Sequence, residues 1–133
     1  MSFAVNDLDK TIDFYCNVLK CNLGRKGTDW VDIDFFGHQL TAVVRPKLVV
    51  PARFYKGKKN QVPIRHFGVV LSWKDWHSMK DRFEKEKVAF AISPLIMFEG
   101  TVAEQASMFL RDPNGYAIEF KAFEKQENLF RSA

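Results

Sequence analysis

His66 and Glu119 are the two residues of this chain best suited to hold a cation or handle a proton. Glu119 sits in the apolar run Tyr116–Phe123, where strand alternation sets Ala117, Glu119 and Lys121 on one face, with Ile118 and Phe120 on the other. A carboxylate among apolar neighbours needs a positive partner, and Lys121, Arg111 or a metal ion would serve. His66 opens the run HFGVVL and reads either as a satisfied strand histidine or as a ligand. Three further groups are weaker. His38 and Gln39 adjoin Gly37 at a hairpin, where His38 reads as turn chemistry and Gln39 as a side chain able to reach a substrate. His77 falls on the polar side of a helical stretch and reads as surface. Cys16 and Cys21 have no basic constellation nearby, so both read as reduced thiols rather than nucleophiles.

Those residues are separated by 53 positions, so the elements between them must bring them together. Residues 1–5 read as a strand, with Asn6 predicted to cap a helix that carries Asp7 and Asp9 in its first turn. Leu8, Ile12, Tyr15 and Leu19 recur at the helical period. Strands are predicted at Trp30–Phe36 and Gln39–Val44 around a Gly37–His38 turn. Arg45–Arg65 holds three prolines and reads as a long connection. The order then repeats. His66–Leu71 is a strand, Ser72 and Asp75 resemble a capping box, and Trp76, Met79 and Phe83 form a second helical stripe. Strands are predicted at Val88–Ile92, Ala106–Arg111 and Tyr116–Phe123, with a loop at Glu99–Gln105 and a turn at Asp112–Gly115. Val5, Asn6 and Asp9 match Leu71, Ser72 and Asp75 at an offset of 66, and Gly37 and Thr41 match Gly115 and Glu119 at 78. This is an internal duplication of two units, each too small to bury its face alone.

Composition narrows the classes. At 133 residues, 47% of them hydrophobic and 27% charged, the chain has a globular composition, so disorder is excluded as a description of the whole. No apolar run approaches the roughly 20 residues that span a bilayer. The N-terminus is not a secretory signal and the cysteines are too few for a disulfide framework, so a cytoplasmic location is expected. The net charge of +4 is uneven: residues 45–65 hold seven cations and no acid, which leaves −3 for the rest. That segment reads as a solvated basic loop or as an anion-attracting lip over a site; nucleic-acid binding is not expected, because no recognition motif accompanies it.

The segments VNDLDKTIDFY (Val5–Tyr15), RHFGVVL (Arg65–Leu71) and FLRDPNGYAIEF (Phe109–Phe120), in this order, resemble the vicinal oxygen chelate superfamily of glyoxalases, bleomycin-resistance proteins and extradiol dioxygenases. WVDIDFFGHQL (Trp30–Leu40) with HFGVVLSWKDWH (His66–His77) is similar to a subgroup of predicted extradiol-type dioxygenases. The resemblance implies an α+β fold of two βαβββ modules, residues 1–45 and 66–123, joined by 46–65 and followed by a tail, 124–133. Their curled mixed sheets would form a metal cleft. It implies His66 and Glu119 as ligands of a divalent ion, Fe(II) first and Mn(II), Ni(II) or Zn(II) next, donor types that suit such ions. It also implies a small oxygenated organic substrate and a homodimer.

The chain departs from that pattern at three places. The first-module counterpart of His66 falls one position before Met1. The counterpart of Glu119 is Thr41, and a hydroxyl is no carbon-acid base near neutral pH, which disfavours glyoxalase chemistry. Phe109 stands where the extradiol pattern has a tyrosine, and a phenyl ring can do no acid–base work, which disfavours standard ring cleavage. Gln39, Thr41, Phe109 and Lys121 are the expected substrate-binding residues, with Glu104 and Gln39 the candidates for acid–base work. The expected function is a metal-dependent, dioxygenase-like enzyme. The alternatives are a metal-free binding protein of the bleomycin-resistance type and a glyoxalase-like lyase.

Overall fold

In a computed structural model, residues 1–55 and 62–132 are described; Lys56, Lys58 and Lys59 of the basic segment lie outside them. The first half runs β1 (Ser2–Val5), α1 (Leu8–Asp13, continued by a π turn at Phe14–Val18), β2 (Asn22–Lys26), β3 (Trp30–Phe35) and β4 (His38–Val44). The second runs β5 (His66–Leu71), α2 (Trp73–Lys85), β6 (Ile92–Met97), β7 (Gln105–Arg111) and β8 (Ala117–Ala122). Each half makes a four-stranded sheet, in the orders β1-β4-β3-β2 and β5-β8-β7-β6, with one parallel pair in an otherwise antiparallel ladder. The α+β class and the repeated βαβββ module expected from the resemblance are therefore present. The duplication extends to register: Ser2 pairs with Thr41 in the first sheet, and Gly68 with Glu119 in the second, at the offsets of 66 and 78 seen in the sequence.

By contact the chain forms two compact units, Met1–Pro51 with Asp112–Tyr116, and Ala52–Arg111 with Ala117–Ala133. In the first, Val31, Ile33 and Phe35 alternate into the core, and Tyr15 packs edge-on against Phe35. The turn Asp112–Tyr116 belongs to this unit because it is tied there by hydrogen bonds. Tyr15 Oη donates to Asp112 Oδ2 at 3.1 Å, the Asn6 amide to Asn114 Oδ1 at 2.8 Å, and Tyr116 Oη to the Ala4 carbonyl at 2.7 Å. Gly115 takes φ +88° here, and a Cβ on it would strike Pro51. In the second unit, Trp76 and Phe83 of α2 bury against β8, and the Trp76 indole N–H donates to the Phe120 carbonyl at 2.8 Å. Each such fully buried ring contributes about 1.5–3 kcal/mol.

Four expectations need correction. Asp7, not Asn6, caps α1: it has the extended backbone of a cap residue, φ −145° and ψ 126°, and its side chain accepts from the Lys10 amide at 2.8 Å. Strand β2 was not predicted, since all five of its residues are exposed and carry no alternation. The strand expected at Val88–Ile92 begins only at Ile92: α2 ends in the left-handed Lys87, φ +56°, and the strand accommodates Pro94 at an edge where the register shifts. The first hairpin turns at Phe36–Gly37, φ +51° and +90°, which leaves His38 as the first residue of β4 rather than part of the turn.

Candidate functional site

The parallel pairing of β5 with β8 brings His66 and Glu119 onto one sheet face. Gly68 allows this pairing, because any Cβ there would overlap the Glu119 carbonyl oxygen. The Glu119 side chain is only 7% exposed. Its Oε1 accepts from Ser107 Oγ at 2.8 Å, while its Oε2 lies 3.2 Å from His66 Nε2 and 3.3 Å from Lys121 Nζ. His66 is oriented from its other side by the Pro63 carbonyl, which meets Nδ1. A carbonyl only accepts, so Nδ1 carries the proton, and in the neutral ring the Nε2 lone pair then faces a carboxylate oxygen. Two electron-rich atoms at that spacing require a cation between them, either a proton on Nε2 or a metal ion.

The pairing moves both titrations. The Glu119 hydrogen bond holds the His66 imidazolium above its ordinary 6.5, against burial and with help from Pro63. Burial pushes the Glu119 carboxyl up, but the hydrogen bonds from His66 and Ser107 and the charge of Lys121 outweigh it and leave it below its ordinary value. Phe109, fully buried with Ala52 and Ala117, sets its ring edge-on to His66 at 5.4 Å. Arg111 is not a partner of Glu119 in this arrangement; its guanidinium stacks over Phe54 at 4.4 Å.

Thr41 and Gln39 lie in the first unit, on the solvent-facing side of β4. Thr41 Oγ1 donates to Asp32 Oδ1 at 2.7 Å, and Arg25 Nε approaches Oδ2 at 3.3 Å. The Thr41 hydrogen bond, then those of Gln39 and Arg25, hold the Asp32 carboxyl below its ordinary value despite its burial. A depression of about 490 Å³ is lined there by Asn22, Arg25, Asp32, Asp34, His38 and Gln39. The Met1 ammonium donates to the Gln39 carbonyl at 3.0 Å, and the Thr41 amide to the Met1 carbonyl at 2.9 Å.

Sequence reasoning passed over Asp32 and Ser107. Asp32 had a signal: in WVDIDFF it falls on the face shared with Thr41 across the hairpin. Ser107 had almost none, being one small polar residue in an apolar strand. Glu104 stays in an exposed loop, where its carboxylate accepts from the Gly100 amide at 2.7 Å. His77 packs between the rings of Trp73 and Trp76 on α2. Burial, then Cys16, push the Cys21 thiol up to about 11, which makes it a poor nucleophile.

An imidazole nitrogen and a carboxylate oxygen suit a first-row divalent ion, and 3.2 Å is a fitting separation for two donors each roughly 2.0–2.2 Å from one centre. Among the described residues no three His, Cys, Asp or Glu side chains group as a metal site, so an ion at this pair would have two protein ligands from them. Among the same residues no helix is long and apolar enough to cross a membrane.

A family model described as the Glyoxalase/Bleomycin resistance protein/Dioxygenase superfamily matches residues 1–120. Among solved structures, the chain is similar to a glyoxalase/bleomycin resistance protein/dioxygenase from Alicyclobacillus acidocaldarius at 26% identity and a TM-score of 0.78, over 98% of this chain and 93% of that one. The fold is also shared with the fosfomycin resistance protein FosX from Listeria monocytogenes, at 13% identity and a TM-score of 0.67, over 97% and 94% of the two chains. It is shared again with lactoylglutathione lyase from Agrobacterium tumefaciens, at 17% identity and 0.64, over 93% and 91%. No curated protein matches the chain.

Proposed function

The chain belongs to the glyoxalase/bleomycin resistance protein/dioxygenase superfamily, and on that premise we propose that it is a metal-dependent, dioxygenase-like enzyme acting on a small oxygenated organic molecule. His66 Nε2 and Glu119 Oε2 are its two protein ligands in this reading. The observation that carries it is the facing of these two atoms at 3.2 Å, with His66 turned into place through Nδ1 by the Pro63 carbonyl. A divalent ion held there, with Fe(II) the first choice, would supply Lewis-acid charge to two neighbouring substrate oxygens. Lys121, 26% exposed beside Glu119, attracts a negative oxygen on the same face. Phe109 and the apolar cluster around it keep water from the inner side of the His66 ring. In this reading the assembly is a homodimer, as the resemblance implies.

The lyase reading is weaker because it needs a carboxylate base. Asp32, the carboxylate beside Thr41, is held below its ordinary value by its donors and is a poor proton acceptor. The metal-free binding reading has one observation in its favour: Lys121 Nζ, 3.3 Å from Oε2, already supplies a cation. Metal content separates the two. Purified protein loaded anaerobically with Fe(II) or Mn(II) is expected to retain about one ion per chain, and Glu119→Gln to lose it. An unliganded wild-type protein, or a Glu119→Gln variant that holds the ion as tightly, would sink the metal reading and leave the binding protein.

A further inference from the structure

We infer that Ser107 is a positioning residue for Glu119: by holding Oε1 it turns Oε2 toward His66 as the coordinating atom. The inference rests on the metal reading above and extends it to a residue one strand away. The terminal torsion of a glutamate is soft, with a broad two-fold profile, so a strand backbone alone does not set the plane of its carboxylate. Something must fix it. His66 and Lys121 approach Oε2 at 3.2 and 3.3 Å, whereas Ser107 Oγ lies 2.8 Å from Oε1 and makes the shortest of the three contacts.

Ser107 is fully buried, as are Ala106 and Met108 beside it on β7, so no solvent donor stands ready to replace its hydroxyl. Its reach to Glu119 is diagonal. The register pairs Ser107 with Lys121, and Phe109 is the residue directly across from Glu119. A phenyl ring there cannot donate, which leaves the clamp to the serine two positions away.

The first unit carries the same device with its strands exchanged. There the carboxylate, Asp32, is on β3 and the hydroxyl, Thr41, on β4, again with one oxygen taken by the hydroxyl at 2.7 Å and the other left to a cationic group, Arg25. Two independent placements of a hydroxyl on one carboxylate oxygen mark a way of orienting the other.

The test is Mn(II) binding by equilibrium dialysis on the metal-free full chain, with the thermal unfolding midpoint measured on the same samples. Ser107→Ala is expected to weaken Mn(II) by roughly 10- to 100-fold, the range for loss of an outer partner of a ligand. Ser107→Thr, which returns the hydroxyl, is expected to restore most of the affinity and the electron paramagnetic resonance line shape of the bound ion. Wild-type affinity in Ser107→Ala overturns the inference and leaves the metal reading standing. So does a Ser107→Thr protein that melts with the wild type yet binds as weakly as the alanine variant. A wild-type chain that binds no Mn(II) overturns both.

Discussion

Glu119 is nearly sealed from solvent yet stays ionised, because a hydroxyl, an imidazole and an ammonium share its two oxygens. That arrangement has a definite pH signature. Glu119 is held below its ordinary 4.5, so its contribution to stability is present above that value and is lost as pH falls through its folded value. His66 is held above its ordinary 6.5, so its contribution is full below that value and is lost as pH rises through its folded value. The stability difference between the metal-free wild type and Glu119→Gln is therefore expected to be largest between these two ordinary values and to shrink on either side. Urea unfolding of both proteins across pH 3–8 measures it; a difference that keeps growing through neutrality would contradict the His66 pairing. At this scale the sequence offered both partners, since a histidine opening one strand and a glutamate in an apolar strand each ask for a counter-charge. It did not offer Ser107 or the orientation of His66 by Pro63. Those depend on which strands become neighbours, and on a carbonyl whose direction no side-chain pattern encodes.

The elements that carry these residues are set largely by local chemistry, with the corrections falling at their ends. Ser72 caps α2 as its spacing with Asp75 foretells, accepting from the Asp75 amide at 3.0 Å. The first helix instead takes its cap one residue later than expected. Asp7→Ala is accordingly expected to cost about 0.5–2 kcal/mol. Asn6→Ala, whose side chain does not cap the helix, should cost much less, and chemical denaturation of the two variants decides between them. Periodicity found β3, where Val31, Ile33 and Phe35 alternate into the core, because alternation is a trace that a sheet face leaves in a sequence. Strand β8, buried on both faces, was legible instead as an apolar run behind a strong turn. Periodicity could not find β2, an edge strand exposed along its whole length. Proline hid β6 in the same way: Pro94 argues against a strand until the edge position and the shifted register are known.

Across the whole molecule the duplication is exact in register yet not separable in chain. The first unit is completed by Asp112–Tyr116, a turn that the sequence assigns to the second half. Without it the buried Tyr15 hydroxyl loses Asp112, and the Asn6 amide loses Asn114. A fragment of residues 1–51 is also near the size below which a core rarely sustains itself. Such a fragment is expected to remain unfolded, with the collapsed amide dispersion of a random coil in a nitrogen–proton correlation spectrum. A well-dispersed spectrum would show that the borrowed turn is dispensable.

The sequence by itself determined the repeated module, the family, and the two residues most apt to face one cation. Each is written in features that survive without coordinates: hydrophobic period, turn residues, and residue types at matched offsets. Only the tertiary structure decided that Ser107 holds one oxygen of Glu119, that Lys121 already touches the other, and that a turn from the second half completes the first unit. These are contacts between residues 2 to 112 positions apart. They arise from strand pairing and side-chain rotation, which the order of residues constrains only through the folded chain.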